Sequence, residues 1–162
     1  MALGRTVGGW GERGGVPPKN NQLKKGCTMK AILVLEDEPS VMKLLRHTLR
    51  DYRLIEATTA EEALLLFIDH DYLVDLLVAD LTLPRKSGAE VALHFRSKIP
   101  DLPVILTSGY PVSGWTERDS ADLRRLGDTA VAVLQKPFAG HELLDAICEL
   151  TGRPPAWKAR IA

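Results

Sequence analysis

Cysteine is almost absent from this sequence: 162 residues contain two, Cys27 and Cys148. Their separation gives no metal-ligand or disulfide spacing, so a disulfide-stapled secreted scaffold is not expected, and both read as free thiols of a reducing compartment. Net charge is absent as well, with 21 Lys plus Arg against 21 Asp plus Glu. Bulk electrostatics therefore imply no nucleic-acid or anionic-membrane partner, and any charge chemistry has to be local. No run approaches the ~20 apolar residues of a membrane span, and the N-terminus carries Arg5 without an apolar signal region. A cytoplasmic protein is the expectation, with one domain long enough to bury a proper core.

Residues 1–28 differ in composition from the rest of the chain. They hold Gly4, Gly8, Gly9, Gly11, Gly14, Gly15 and Gly26, the pair Pro17-Pro18, and five basic residues against one acid, with no apolar period. A disordered basic arm is expected there, and Met29-Lys30 offers a second possible start of translation. Residues 29–152 carry the folded pattern, and 153–162 form a short tail. Within the pattern, apolar runs at Ile32 to Leu35, Arg53 to Ala57, Leu73 to Ala79, Pro103 to Thr107 and Val131 to Leu134 read as strands. Helical patterns fill the gaps. The first buries Val41, Leu44, Leu45, Thr48 and Leu49 behind Pro39, and the second starts from a Thr58 or Thr59 cap. The third turns Val91, Ala92 and Phe95 inward; a polar fourth and a final helix from His141 to Leu150 complete the series. Five strands alternating strictly with five helices call for a parallel sheet covered on both faces, whose site lies beyond the carboxyl ends of the strands.

Those ends hold Glu36 and Asp37 after the first strand, Asp80 after the third, Thr107 and Ser108 after the fourth, and Lys136 before Pro137 after the fifth. No histidine or cysteine joins them, so the donors are all oxygens. Two like charges ~4 Å apart at an effective dielectric of 20 repel by about 4 kcal/mol, so three carboxylates need an answer. Lys136 offsets part of the charge, and a hard divalent cation, Mg²⁺ or alternatively Mn²⁺, would offset the rest. A phosphoryl group drawn to such a cation could accept hydrogen bonds from Ser108 and Lys136 and be taken by Asp80 as an acyl phosphate. Strand alternation leaves Thr107 as the alternative to Ser108, with the small Gly109 favouring Ser108. The chain also lacks a Ser/Thr/Gly phosphate loop after the first strand, which argues against a flavin-type cofactor binder.

The quartet of motifs, Glu36-Asp37-Glu38-Pro39, Asp80-Leu-Thr-Leu-Pro84-Arg-Lys-Ser-Gly88, Ser108-Gly109 and Lys136-Pro137-Phe138, resembles the receiver domain of bacterial two-component response regulators over about Lys30 to Leu150. The resemblance implies a flavodoxin-like, doubly wound (βα)5 fold with strand order 2-1-3-4-5. It implies phosphorylation at Asp80, with metal held by Asp37, Asp80 and the backbone carbonyl of Thr82, and Glu36 orienting a metal-bound water. It further implies Ser108 as the switch hydroxyl, Lys136 as the phosphoryl clamp, and a cis peptide at Lys136-Pro137. Thr82 and Tyr110 are the side chains expected to tune dephosphorylation. The partners implied are a sensor histidine kinase or phosphotransfer protein and a downstream protein bound in trans. Only Thr151 to Ala162 come after the last helix, so no DNA-binding or enzymatic output domain is expected.

Three departures stand out. Val133 occupies the position where the family commonly has an aromatic residue; the segment from Ser108 to Lys136 is longer than usual, with Pro111, Gly114 and Trp115 inside it; and Ala139 stands where a capping side chain is common. Trp115 reads either as an exposed partner anchor or as a ring packed back on its own loop. The histidines His47, His70, His94 and His141 are assigned no chemistry. The alternative function is a Mg²⁺-dependent aspartyl-phosphate phosphohydrolase, disfavoured because Thr82 stands where such enzymes need a second Asp as acid and base.

Overall fold

The computed structural model describes residues 31–152. The expectations for the arm at 1–28, the start at Met29 and the tail at 153–162 lie outside them. Five parallel strands alternate with five α-helices: β1 Ile32–Leu35, α1 Pro39–Thr48, β2 Leu54–Ala57, α2 Ala60–Asp69, β3 Leu76–Asp80, α3 Gly88–Arg96, β4 Val104–Ser108, α4 Glu117–Leu126, β5 Val131–Gln135 and α5 Gly140–Thr151. A 3-10 turn, Val112–Gly114, lies before α4. The strand order is β2-β1-β3-β4-β5, the doubly wound order expected.

The central strands are apolar throughout because neither face meets water. β1 is fully buried along its length, as are β3 and β4. Two cores result. One side of the sheet packs against α2, α3 and α4, where Phe67 stacks on Phe95 with centroids 3.8 Å apart and planes within 7°. The other packs against α1 and α5 through Met42, Leu45, Phe138, Leu143 and Ile147.

Several local expectations shift. α1 buries Met42, Leu45 and Leu49 while Leu44 stays 39% exposed, so the buried stripe is rotated from the one expected. Apolar residues at 41, 42, 44, 45 and 49 permit two helical faces, and contact with α5 selects one. β3 begins at Leu76, not Leu73. Asp71 and Tyr72 adopt positive φ of 52° and 59°, making a turn that leaves Leu73 exposed before the strand starts. An apolar run alone does not distinguish strand from turn. Arg96, at the end of α3, donates to the carbonyls of Leu102, Leu126, Thr129 and Ala130, a clamp joining the approach to β4 to the approach to β5. Burial lowers its guanidinium from the ordinary arginine range.

Sheet order places the site. β1 lies between β2 and β3, with Leu35 opposite Ala79, so the residues after β1 and at the end of β3 are neighbours where the chain reverses its direction of winding.

Candidate functional site

Glu36 follows β1 directly, and its N–H still bonds to the Ala57 carbonyl at 3.0 Å, which carries the carboxylate into the rim. It is 1% exposed. Its Oε2 accepts from Lys136 Nζ at 2.8 Å and its Oε1 from the Glu38 N–H at 3.1 Å. The same ammonium lies 3.1 Å from Asp80 Oδ2, while Asp80 Oδ1 accepts from the Thr82 N–H at 3.2 Å. Glu36, Asp37 and Asp80 each offer a carboxylate oxygen within 4.8 Å of the others, with Asp37 the exposed member. Burial raises the Glu36 carboxyl above its usual range, a rise that the Lys136 hydrogen bond only partly offsets. For Lys136, burial alone would pull the ammonium down, but the Glu36 bond and the Asp80 charge outweigh it and its affinity for the proton is raised.

Lys136 is positioned by its neighbours. Its N–H bonds to the Ser108 carbonyl at 2.7 Å, the next peptide, Lys136-Pro137, is cis, and Phe138 is buried in the core beneath α5. Asp80 is held from below: a Cβ added at Gly88 would sit 2.3 Å from the Asp80 carbonyl oxygen, so only glycine lets the first turn of α3 approach the end of β3. Glu38, by contrast, is exposed and its carboxylate accepts from the Ser40 hydroxyl at the mouth of α1.

Both hydroxyl candidates are buried, Thr107 at 1% and Ser108 at 0% exposure, so alternation does not separate them. Each face of β4 is covered by helices, and inward or outward loses its meaning on such a strand. Crowding at Gly109 does not separate them either, since a Cβ there would meet nothing within 4 Å. They differ in their place along the rim. Ser108 borders a cavity of about 280 Å³ with Thr82, Ser87, Tyr110 and Trp115, and its Oγ accepts from the Tyr110 N–H at 3.1 Å. Thr107 pairs with Asp80 in the sheet.

The lengthened loop folds on itself. Trp115 is half-buried against the core under α2, α3 and α4 and donates Nε1–H to the Tyr110 carbonyl at 3.1 Å, while Tyr110 remains 63% exposed. Val133, partly buried, packs on that same core. Ala139 offers no cap to α5, but Glu142 reaches back to accept its N–H at 2.6 Å, which supplies one half of a capping box. His47, His94 and His141 are exposed and His70 Nδ1 pairs with the Leu66 carbonyl, so none belongs to the rim. Sequence reasoning missed the Glu36–Lys136 bond as the shortest contact of the cluster and the close approach at Gly88. The signal for the second was a glycine at the start of α3, where no positive φ explains it.

A family profile for the response regulator receiver domain matches residues 32–148 of this chain. The chain belongs to that family. Among curated relatives, this receiver domain is 37% identical over 117 residues to the response regulator MprA of Mycobacterium sp. strain KMS, covering 70% of this chain and 46% of the relative. It is 34% identical over 119 residues to the transcriptional regulatory protein KdpE of Mycobacterium tuberculosis, covering 72% and 48%. The chain thus spans about half the length of these relatives. Among solved structures, the signal receiver domain of an HD domain-containing protein from Pseudomonas fluorescens Pf-5 superposes with a TM-score of 0.65 at 24% identity, covering 77% of this chain and 96% of that one, a likeness of fold. Among the described residues, no helix of the receiver domain is long and apolar enough to cross a membrane.

Proposed function

We propose that this receiver domain accepts a phosphoryl group on Asp80 and signals through a protein partner. The observation that carries the reading is the set of contacts around Asp80: one ammonium, Lys136, lies within 3.1 Å of both the Glu36 and Asp80 carboxylates. Three carboxylates against that single ammonium leave two negative charges within the cluster, and all the donors are oxygens. That chemistry fits a hard divalent cation, Mg²⁺ with Mn²⁺ as a substitute, held by Asp37, Asp80 and the Thr82 backbone carbonyl, with Glu36 acting through water. When bound, the cation supplies charge neutralisation for an incoming phosphoryl group.

The residues of the chain do the rest. An Asp80 carboxylate oxygen attacks the phosphorus of a phosphohistidine on a sensor kinase or phosphotransfer protein. The P–O bond forms as the P–N bond breaks, and the imidazole leaves with the bonding pair. Lys136 and the Ser108 hydroxyl donate to the phosphoryl oxygens as their charge builds. Thr82 and Tyr110 flank the route by which water later hydrolyses the acyl phosphate. Thr82, exposed two residues beyond Asp80, offers no carboxylate for acid or base catalysis, which sets this site apart from a phosphohydrolase. The folded unit is assigned to residues 29–152, acting in the cytoplasm.

The test is labelling by acetyl phosphate or a phosphohistidine donor with Mg²⁺, read by intact mass. One phosphoryl group per chain is expected, lost in Asp80→Asn and on chelation of the metal. Label retained in Asp80→Asn would remove Asp80 as the acceptor.

A further inference from the structure

We propose that Trp115 is a positioning residue that sets the Ser108 hydroxyl and ties it to the start of α4. The inference deepens the proposed function and rests on Ser108 being the hydroxyl that meets the phosphoryl group. Two hydrogen bonds in series carry it. The Tyr110 N–H donates to Ser108 Oγ at 3.1 Å, and the Tyr110 carbonyl accepts from Trp115 Nε1–H at 3.1 Å. The first bond occupies a lone pair of Oγ and leaves its proton for another acceptor, so the hydroxyl is oriented without being consumed. The second fixes the Tyr110 residue that makes the first. Tyr110 is not fixed by its own burial, because the residue is 63% exposed.

Packing leaves that task to the indole. The cavity of about 280 Å³ beside Ser108 is bounded by Tyr110 and Trp115, so the segment between them has space to move into if its hydrogen bond is lost. The indole itself is anchored, half-buried against the core under α2, α3 and α4. Its backbone closes the 3-10 turn through its N–H to the Val112 carbonyl at 3.2 Å. The next residue, Thr116, caps α4 by accepting the Asp119 N–H at 3.1 Å. A change in the Ser108 hydroxyl thereby reaches, through Tyr110, the ring of the residue that precedes the Thr116 cap of α4.

The experiment is a double-mutant cycle on the full chain, with the rate of labelling by acetyl phosphate and Mg²⁺ measured for the parent, Trp115→Phe, Ser108→Ala and the double variant. Phe keeps an aromatic ring and removes the N–H, together with part of the indole's packing surface. Trp115→Phe is expected to slow labelling about fivefold, the worth of one neutral hydrogen bond, and to lower the melting temperature by only a few degrees. In the Ser108→Ala background it is expected to slow nothing further. Equal slowing in both backgrounds, or none in either, overturns the proposal. A second readout does not depend on that variant folding: with Trp10→Phe and Trp157→Phe in place, Trp115 alone emits, and beryllium fluoride with Mg²⁺ is expected to shift its emission. The shift is expected to vanish in Ser108→Ala; a shift that persists there, or none in the Ser108 chain, overturns it. Asp80→Asn in parallel separates the two readings. Label retained in that variant removes the acceptor assignment and this inference with it, whereas label lost there with independent Trp115 and Ser108 effects overturns the positioning alone.

Discussion

Around Asp80 the rim has a closed side and an open one. On the closed side Glu36 is 1% exposed and the Lys136 side chain 18%, and the two are bonded at 2.8 Å. On the open side Asp37, Thr82 and Tyr110 are all exposed, and Asp37 makes no ion pair with Lys136. The closed side answers its own charge: burial in a poor dielectric forces a carboxylate and an ammonium to find each other. The open side leaves its charge to solvent, and so to whatever cation or partner arrives from solvent. The contrast teaches that two carboxylates one position apart after β1 meet opposite surroundings: Glu36 is buried against Lys136 and Asp37 faces solvent.

Asp37→Ala should cut Mg²⁺-dependent labelling by about a hundredfold or more, since several kcal/mol of charge stabilisation depend on the metal. Denaturant unfolding without metal should show its stability little changed, and an equal loss of stability would place Asp37 on the closed side. Lys136→Met should lose both, slowing labelling by removing a donor to the phosphoryl oxygens and costing about 3 kcal/mol of stability by leaving Glu36 and Asp80 buried side by side without their cation. Added Mg²⁺ should recover part of that, and a midpoint insensitive to both would refute the mutual answering of charge.

Gly88→Ala should cost about 1 to 2 kcal/mol through overpacking against the Asp80 carbonyl. It should also slow labelling although it touches no charged group; unperturbed labelling would show that the end of β3 yields freely. Smallest is the exposed pair Arg46–Glu56, at 2.6 Å on side chains 57% and 32% exposed. The Arg46 hydrogen bond holds the Glu56 carboxyl below its usual range. A lowered folded-state value means stability present above the ordinary carboxylate pKa and lost as pH falls through the lowered one. Glu56→Gln should therefore cost about 0.5 kcal/mol at neutral pH and nothing in acid, by urea unfolding at the two pH values.

Much of the architecture is legible along the chain. The unbroken run Ile32 to Leu35 announces a strand covered on both faces, and β1 is indeed fully buried. The alternation of elements and the four motifs point to the fold and its strand order. The illegible parts share one cause, in that they depend on which neighbour fills a space. The α1 face that is buried is ambiguous between two sets of apolar residues, and Leu44 loses to Met42 only because α5 lies where it does. The start of β3 is displaced from the apolar run because Leu73, as apolar as the strand, comes after two residues of positive φ.

The sequence by itself determined the chemistry available: three carboxylates, an ammonium and a hydroxyl at the ends of strands, because periodicity 2 and 3.6 and the placement of Pro and Gly are written locally. Tertiary structure decided how that chemistry is shared. Glu36 and Asp37 are adjacent in the chain and alike in charge, yet one is 1% exposed and bonded to Lys136, a hundred residues away, while the other faces water. Trp115, equally consistent with a partner anchor and a packed ring when read along the chain, is bonded to the Tyr110 carbonyl. The physical reason is the same in both cases. Desolvation and close packing depend on the atoms that surround a group, and for these residues those atoms come from distant strands or from a loop folding back on itself.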